Sequence, residues 1–320
     1  MNIKLHTTVL LNEAIQSLKV KKNGIYLDGT FGAGGHSKKI LEKLGTTGKL
    51  YAIDQDPYAV TIAKKICDDR FYIIPGNFSH VDILLKKHHL YKKIDGIILD
   101  LGMSSMQLIS AKRGFSFNIN GPLDMRMNPN NGISAHEWIN TSHEKHIYYV
   151  LKSFGEERFA KKIANKIIIQ RKKKPISTTF ELSNIIQSII PKQKHHKHPA
   201  TKSFQAIRIF INQELQALQI FLNKALNFLK HQGRISVISF HSLEDRIVKQ
   251  FINQYSQKPN IPYNLPINEK QINQICQIQL KKINRIFPTN QEINNNFKSR
   301  SAVLRTAEFH ETNYINQQVI

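Results

Sequence analysis

The stretch from Ile25 to Ser37 constrains the fold of this chain more than any other. A short apolar run ends at Asp28, a glycine-dense turn follows, and Ile40, Leu41 and Leu44 then recur at helical spacing. This pattern predicts a strand, a tight loop and a helix in that order. Glycines allow the backbone to turn sharply and a ligand to approach it closely. The free N–H groups at the start of the helix would face that ligand.

Further strands are predicted along the chain, and each ends in a residue suited to binding. Lys49–Ile53 ends in Asp54, twenty positions after Gly34, where a nucleoside-binding βαβ unit places the carboxylate that binds the ribose. Phe71–Ile74 and Lys93–Leu99 follow, with helices between the strands. Two of these helices are expected to begin at Asp56, which precedes Pro57, and at Ser79, which has capping-box spacing with Asp82. The alternation predicts a parallel sheet covered on both faces. The strand ends at Asp28, Asp54, Phe78 and Asp100 should therefore meet at one crevice.

Two cofactors compete for this crevice. The dinucleotide pattern G-x-G-x-x-G fits poorly, because Gly32 and Gly34 supply the first pair but Ser37 occupies the third position. Asp28 would repel a diphosphate and suits a cationic group, such as the ammonium and sulfonium of S-adenosylmethionine. A purely structural role, in which Asp28 caps the loop and the glycines only make a turn, stays open.

The composition of the chain indicates which kind of partner it binds. The 320 residues carry a net charge of +23 with a pI near 9.9, which favours an acidic partner, RNA or DNA first. Some of this charge could reflect drift, because Lys, Asn and Ile are abundant throughout. No run of eighteen apolar residues occurs and no signal peptide is recognisable. Cys67 and Cys276 are the only cysteines, as expected for a cytoplasmic protein without disulfides.

The rhythm changes in the middle of the chain. Residues 106–204 lack strand patterning, and Thr141 with Glu144 and Thr178 with Glu181 have capping-box spacing. We therefore expect a helical domain, residues 106–204, inserted into a core formed by residues 1–105 and 205–320. A basic, histidine-rich loop at 191–199 has no cysteine or carboxylate nearby, so we expect it to face RNA rather than a metal.

The last third returns to the α/β pattern. A long amphipathic helix over 205–230 and a strand over 234–239 lead into Phe240–Arg246, where Ser242 and Asp245 have capping-box spacing. His241 and Glu244 should border the crevice, although a well-made helix start explains the cluster equally well. Residues 253–297 look loop-like with an antiparallel pair, before a final strand over 302–306.

These segments together resemble the bacterial small-subunit rRNA cytosine-N4 methyltransferases. The resemblance runs in order from His6 to about Arg305. It rests on eight motifs: Asp28–Ser37, Ala52–Pro57, Leu99–Ser105, Arg113–Phe117, Gly121–Met127, Gly155–Phe159, His198–Thr201 and Ile238–Arg246.

The resemblance implies an α/β fold, a Rossmann-like class I methyltransferase core with an inserted helical substrate-recognition domain. It implies S-adenosylmethionine as methyl donor and the N4 amine of a cytidine in the decoding region of 16S rRNA as acceptor. The expected partner is 16S rRNA or the small ribosomal subunit, with no membrane and no metal, and a homodimer is left open.

The family's cofactor contacts carry over to residues whose chemistry fits. The glycines allow close approach, Asp54 takes the ribose hydroxyls, Phe78 offers an apolar face to adenine, and Gln107 or Asp100 fixes polar edges. Core packing of Phe78 and a surface position for Gln107 are the plain alternatives. The cofactor-binding set is Asp28, Gly34, Gly35, His36, Asp54, Phe78, Asp100 and Gln107.

Asp100 is the main catalytic candidate and His241 the second. Many amino-methyltransferases have an Asp/Asn-Pro-Pro-aromatic motif at this strand end, whereas this chain has Asp100-Leu-Gly-Met. Base stacking is then expected from Phe115 or Phe117. Methylation at C5 is disfavoured because neither cysteine follows a strand into the crevice. The competing hypotheses are a non-catalytic ribosome-assembly factor and a nicotinamide-dependent oxidoreductase.

Overall fold

The structure, a computed structural model, describes residues 8–191, 198–257 and 279–311. It divides into two compact units, one formed by Met1–Gly102 with Ala217–Ile320 and the other by Met103–Gln216. The start of the chain before Thr8, most of the histidine-rich loop and Cys276 lie outside the described residues.

The first unit is built on one seven-stranded sheet in the order β3-β2-β1-β4-β5-β7-β6. Five neighbouring strands, β3 to β5, run parallel, while β7 is antiparallel to both β5 and β6. The strands are β1 Ile25–Asp28, β2 Lys49–Asp54, β3 Phe71–Pro75, β4 Ile94–Asp100, β5 Leu229–Ser239, β6 Leu280–Ile286 and β7 Val303–Phe309.

Helices cover both faces of this sheet. The helices of the first unit are α1 Leu11–Leu18, α2 Gly35–Lys43, α3 Pro57–Ala63, α4 Val81–Lys86, α12 Ser242–Ser256 and α13 Asn290–Asn295, with 3-10 helices at Phe78–His80 and Phe297–Ser301. Helix α11, Glu214–Ala225, begins in the second unit and continues into the first.

Alternation along the strands explains the two layers of core. Leu27 and Ile97 pack with residues of α4, α11 and α12, while Tyr26 and Ile98 pack with α1 and α2. Every residue of β4 except Asp100 is buried, as expected for a central parallel strand. The predicted fold class, α/β with a Rossmann-like core, is confirmed.

The second unit consists of helices in the residues that the structure describes. They are α5 Ser105–Ile109, α6 Ala135–Thr141, α7 Glu144–Gly155, α8 Ala160–Lys173, α9 Thr179–Gln187 and α10 Thr201–Ile211, with a 3-10 turn at Ala111–Arg113. Trp138, Ile147, Leu151 and Ile163 lie in its core. That this unit recognises the substrate stays a prediction.

The single helix predicted over 205–230 is wrong. The chain forms α10 and α11 instead, and Gln213 between them has a left-handed backbone with φ of 51°. The Asn212 side chain accepts from the Met127 N–H and donates to the Met125 carbonyl. These bonds hold the break between the helices, and strand β5 already begins at Leu229.

Two capping predictions hold and three fail. Thr178 caps α9 in a capping box with Glu181, and Asp56 caps α3. Thr141 instead ends α6, with its hydroxyl donating to the Glu137 carbonyl. At the other two sites the cap lies elsewhere: His241 rather than Ser242 caps α12, and Asn77 rather than Ser79 caps the 3-10 helix before α4.

The described residues lack two features that would point to other functions. None of the helices there has the length and apolar character needed to cross a membrane. Nor do these ranges contain three His, Cys, Asp or Glu side chains grouped as a metal ion would require.

Candidate active site

Asp28 ends β1 and is 1% exposed. Its carboxylate is held at both oxygens, by the Thr30 N–H at 3.0 Å and by the Ser37 hydroxyl at 2.7 Å. Ser37 lies in the first turn of α2, so this bond ties the strand end to the helix across the glycine turn. The residue that breaks the dinucleotide pattern therefore has a structural task of its own.

The glycine turn leaves no room for larger residues. Gly34 has a left-handed backbone with φ of 80° and caps α2, and a Cβ there would meet the Phe31 ring at 2.7 Å. A Cβ on Gly35 would collide with the Thr8 side chain. Both glycines are thus required by the packing of the chain itself, and the turn aims the start of α2 at the crevice.

Asp54 ends β2 and uses both oxygens to shape the neighbouring loops. One oxygen accepts from the Gly32 N–H at 2.7 Å and the other from the Asp56 N–H at 2.8 Å. Its side chain is only partly buried, so it retains acceptor capacity towards the crevice. Phe78 follows β3, is half-buried, and packs edge-on against Phe221 with ring centroids 5.5 Å apart.

Asp100 ends β4, the neighbour of β1 in the middle of the sheet. Its N–H donates to the Thr30 hydroxyl at 2.6 Å, and its Oδ2 lies 3.6 Å from Nδ1 of the buried His36. Its Oδ1 is buried and accepts no hydrogen bond from any residue that the structure describes. A buried carboxylate oxygen without a partner is costly, and it marks a place for a donor.

The three acids are destabilised in their charged form. Burial raises the pKa of Asp28 to about 6 and that of Asp54 to about 6. The pKa of Asp100 lies well above its usual range, first because it is buried and then because Asp28 and Glu244 are nearby negative charges. A bound cation would relieve all three penalties, whereas a diphosphate would increase them.

His241 follows β5, next to β4 in the sheet. Its Nδ1 accepts from the Glu244 N–H at 3.4 Å, while its Nε2 lies 3.1 Å from Glu244 Oε1. The other oxygen of Glu244 accepts from the Phe240 N–H at 2.8 Å. The structure therefore gives His241 a helix-capping task, and any action on a substrate would be additional to it.

The remaining candidates lie in the second unit. Gln107 is buried and its amide oxygen accepts from the Ser104 N–H, closing a capping box at the start of α5. Phe115 is 4% exposed and packs in the helical core, so it has no ring face to offer a base. Phe117 stacks on His198 with ring centroids 4.4 Å apart.

Two residues that organise the site were missed from the sequence. Thr30 joins the ends of β1 and β4, because its N–H donates to Asp28 while its hydroxyl accepts from Asp100. The Ser37 hydroxyl donates to the second oxygen of the Asp28 carboxylate. Their positions two and nine residues after Asp28 place one in the turn and the other on the inner side of α2.

Comparison with known proteins decides the family. A model of the MraW methylase family matches residues 3–310. The chain belongs to the MraW methylase family. The predicted family and enzyme class, a methyltransferase using S-adenosylmethionine as methyl donor, are thereby confirmed.

Individual relatives agree with this assignment. The chain is 56% identical to "Ribosomal RNA small subunit methyltransferase H" of Buchnera aphidicola subsp. Acyrthosiphon pisum (strain Tuc7), over 96% of this chain and 98% of that protein. The protein of the same name from the subspecies Schizaphis graminum is 55% identical over the same shares. The solved structure of a putative rRNA-methylase from Clostridium thermocellum shares 13% identity with a TM-score of 0.44, covering 95% of this chain and 100% of that one. That last likeness is too weak to add to the family assignment.

Proposed function

We propose that this methylase transfers a methyl group from S-adenosylmethionine to the N4 amine of a cytidine in the decoding region of 16S rRNA. The observation that carries the proposal is the buried Oδ1 of Asp100, an acceptor at the crevice without a donor among the described residues. The names of the relatives, ribosomal RNA small subunit methyltransferase H, support the substrate class.

The residues around the glycine turn fit this methyl donor. Asp54 would bind the ribose hydroxyls, Phe78 would pack against adenine, and the start of α2 at Gly35 and His36 would lie close to the bound molecule. Asp28 would favour the cationic end through its charge. When bound, S-adenosylmethionine supplies a reactive methyl group on a positively charged sulfur.

The amine is the harder partner to prepare, because its lone pair is delocalised into the cytosine ring. Asp100 would accept an N–H of the amine through Oδ1, which localises the lone pair and stabilises the positive charge that grows on nitrogen. A cation close to Asp100 favours the ionised form of the carboxyl, which is the form that accepts. Alignment of the amine with the methyl group supplies the remainder of the rate enhancement.

The other assignments complete the proposal. His241 would position the base or a phosphate, and Gln107 would contact the donor. The target cytidine has to be unpaired or flipped to reach Asp100. A C5 mechanism finds no nucleophile in the described residues, whose single cysteine, Cys67, is exposed. The protein would act in the cytoplasm, while neither the family nor the described surface adds support for a homodimer.

The test is to incubate the protein with methyl-labelled S-adenosylmethionine and small ribosomal subunits that lack the modification, and then to digest the RNA to nucleosides. Label in N4-methylcytidine is expected from the wild type and should be lost in Asp100→Ala. Asp82→Ala is the matched control, because Asp82 lies on α4 in an exposed ion pair with Lys224.

Two results would contradict the proposal. Label in another nucleoside would keep the methyltransferase and overturn the N4 chemistry. Absence of label in wild type, despite measurable donor binding, would favour an assembly factor that retains the cofactor site.

A further inference from the structure

Two phenylalanines at the end of the sheet are unusually exposed for their size. Phe287 is 53% exposed and Phe297 is 65% exposed. Each ring is covered on one side by an arginine: Arg285 Cζ lies 4.5 Å from the Phe287 centroid, and Arg300 Cζ lies 4.5 Å from the Phe297 centroid. The same pairing therefore occurs twice, and it leaves ring surface open to solvent.

Both pairs lie at the end of the sheet where the parallel strands finish, which is also the end that carries the three acids. Ile286 at the end of β6 pairs with Leu304 near the start of β7, and Ser239 at the end of β5 pairs with Val303. Phe287 follows β6 directly, and the 3-10 helix of Phe297 leads into β7. Three strand spacings separate β6 from β4, so Phe287 lies about 14 Å from the strand of Asp100, measured across the strands.

The segment that carries these rings is bonded to the chain just before α1. Glu292 in α13 accepts from the Leu10 N–H at 2.7 Å, and Thr8, close by in the chain, packs against Gly35. Ser299 is fully buried and donates to the Asn296 carbonyl. Because these contacts fix the backbone on both sides of Phe297, the exposed ring is held in place rather than left loose.

The surroundings are basic. Between Arg285 and Arg300 the chain carries three cationic side chains, Arg285, Lys298 and Arg300, and one acid, Glu292, which is bonded to Leu10. Lys281 and Lys282 lie at the other end of β6. A surface of exposed aromatic rings among cations suits a polyanion that carries flat, stackable groups. Single-stranded nucleic acid has this chemistry, since its bases stack on aromatic rings while its phosphates meet the cations.

We propose that Phe287 and Phe297, each backed by its arginine, form a stacking platform for unpaired bases of the RNA that flank the target cytidine. The proposal rests on the proposed RNA substrate and adds the surface that holds it beside Asp100. The platform consists of Phe287, Phe297, Arg285 and Arg300.

The experiment measures binding of a fluorescent single-stranded RNA oligonucleotide to the full chain by anisotropy, over a range of salt concentrations. Phe287→Ala and Phe297→Ala should each weaken binding roughly tenfold without changing the salt slope, because stacking involves no counterion release. Phe287→Leu and Phe297→Leu keep an apolar side chain but cannot stack, so they should weaken binding nearly as much. Arg300→Ala should lower the salt slope by about 0.7.

Tyr91→Ala is the matched control, because Tyr91 is 63% exposed and precedes β4, at the end of the sheet opposite to the platform. It should bind RNA like wild type, and all variants should bind S-adenosylmethionine normally. The platform is overturned if the alanine variants keep wild-type RNA affinity, or if the leucine variants do. It is also overturned if the alanine variants change the sedimentation of the free protein, which would show that a second copy covers this surface.

The same preparation separates the two proposals. Wild-type protein that methylates cytidine N4 while the phenylalanine variants bind RNA normally refutes the platform alone. Wild-type protein that leaves N4 unmethylated while the phenylalanine variants lose RNA affinity refutes the proposed reaction and supports the platform.

Discussion

The middle and the edge of the sheet end in opposite chemistry. At the middle, β1, β2 and β4 end in Asp28, Asp54 and Asp100, whose pKa values are all raised by burial. At the edge, strand β6 carries the exposed Lys281 and Lys282 near its start, and it ends beside Phe287 with Arg285 over its ring. The end of β6 and the three acids lie at the same end of the sheet, where the parallel strands finish.

The difference follows from how each strand is covered. A central parallel strand has helices on both faces, so a charged side chain at its end is dehydrated. A nearby counter-charge stabilises the ionised form of that side chain. An edge strand has one open side, where lysines stay hydrated and also discourage pairing with other strands. The middle is therefore suited to a small cation, and the edge is suited to a large polyanion. If the two regions act separately, a substitution in one should leave the ligand of the other bound normally.

The largest effect is expected from Asp100→Asn. The amide keeps the shape of the side chain but removes the negative charge that stabilises the developing positive charge on the amine. Loss of one such electrostatic contact should lower kcat on small ribosomal subunits about 10²- to 10³-fold. Single-turnover methylation measures this, and RNA affinity should stay unchanged. If the variant instead loses only RNA binding, Asp100 acts in RNA binding, as proposed for the edge of the sheet, and not in the reaction.

A smaller effect is expected from Asp54→Ala on the binding of the methyl donor. Removing a charge-assisted hydrogen bond costs about 1.5–3 kcal/mol, so the Kd for S-adenosylmethionine should rise about 10- to 100-fold in calorimetry. Asp68→Ala is the control, because Asp68 pairs with Arg70 away from the strand ends. An unchanged Kd in the Asp54 variant would leave Asp54 with only its loop contacts to Gly32 and Asp56.

The sequence predicts the middle of the sheet much better than its edge. Asp28, Asp54 and Asp100 are recognisable because each follows a buried apolar run, and parallel strands bring such ends together. The roles of Thr30 and Ser37 depend on the path of the turn, which spacing alone does not give. At the edge, the pattern over 253–297 is weak, and Phe287 and Phe297 come to the same end of the sheet only because β6 pairs with β7.

The helix errors have a similar cause. Thr141 and Ser242 have the spacing of capping residues, but a short polar pattern recurs by chance, and the backbone conformation decides where the helix starts. The helical periodicity over 205–230 continues through Gln213. The helix nevertheless ends there, where Asn212 bonds to the 125–127 loop. Contacts distant in the sequence decided the second case, and local backbone conformation decided the first.

Donor binding should also depend on pH. Asp28 and Asp54 have pKa values of about 6 in the free protein, so both become protonated as the pH falls through 6. A cation binds the ionised carboxylates better, and the Kd for S-adenosylmethionine should therefore rise roughly tenfold between pH 7.5 and pH 5.5. S-adenosylhomocysteine lacks the sulfonium charge and should show a weaker dependence. Equal pH dependence of the two ligands would exclude recognition of the sulfonium by Asp28, since the ribose proposed to bind Asp54 is present in both.

The smallest effect is expected at the edge, from Lys281→Ala combined with Lys282→Ala. Both lysines are exposed, so each contributes only through counterion release on RNA binding. Two lost contacts should reduce the salt slope for single-stranded RNA by about 1.4 and the affinity a few-fold near 0.1 M salt. Lys86→Ala with Lys87→Ala is the matched control, since this exposed pair lies at the end of α4. If the control pair lowers the slope equally, the net charge of the whole chain attracts RNA, and the edge has no special part in binding. If only the first pair does so while donor binding is unchanged in both, the acidic middle and the basic edge bind their ligands independently.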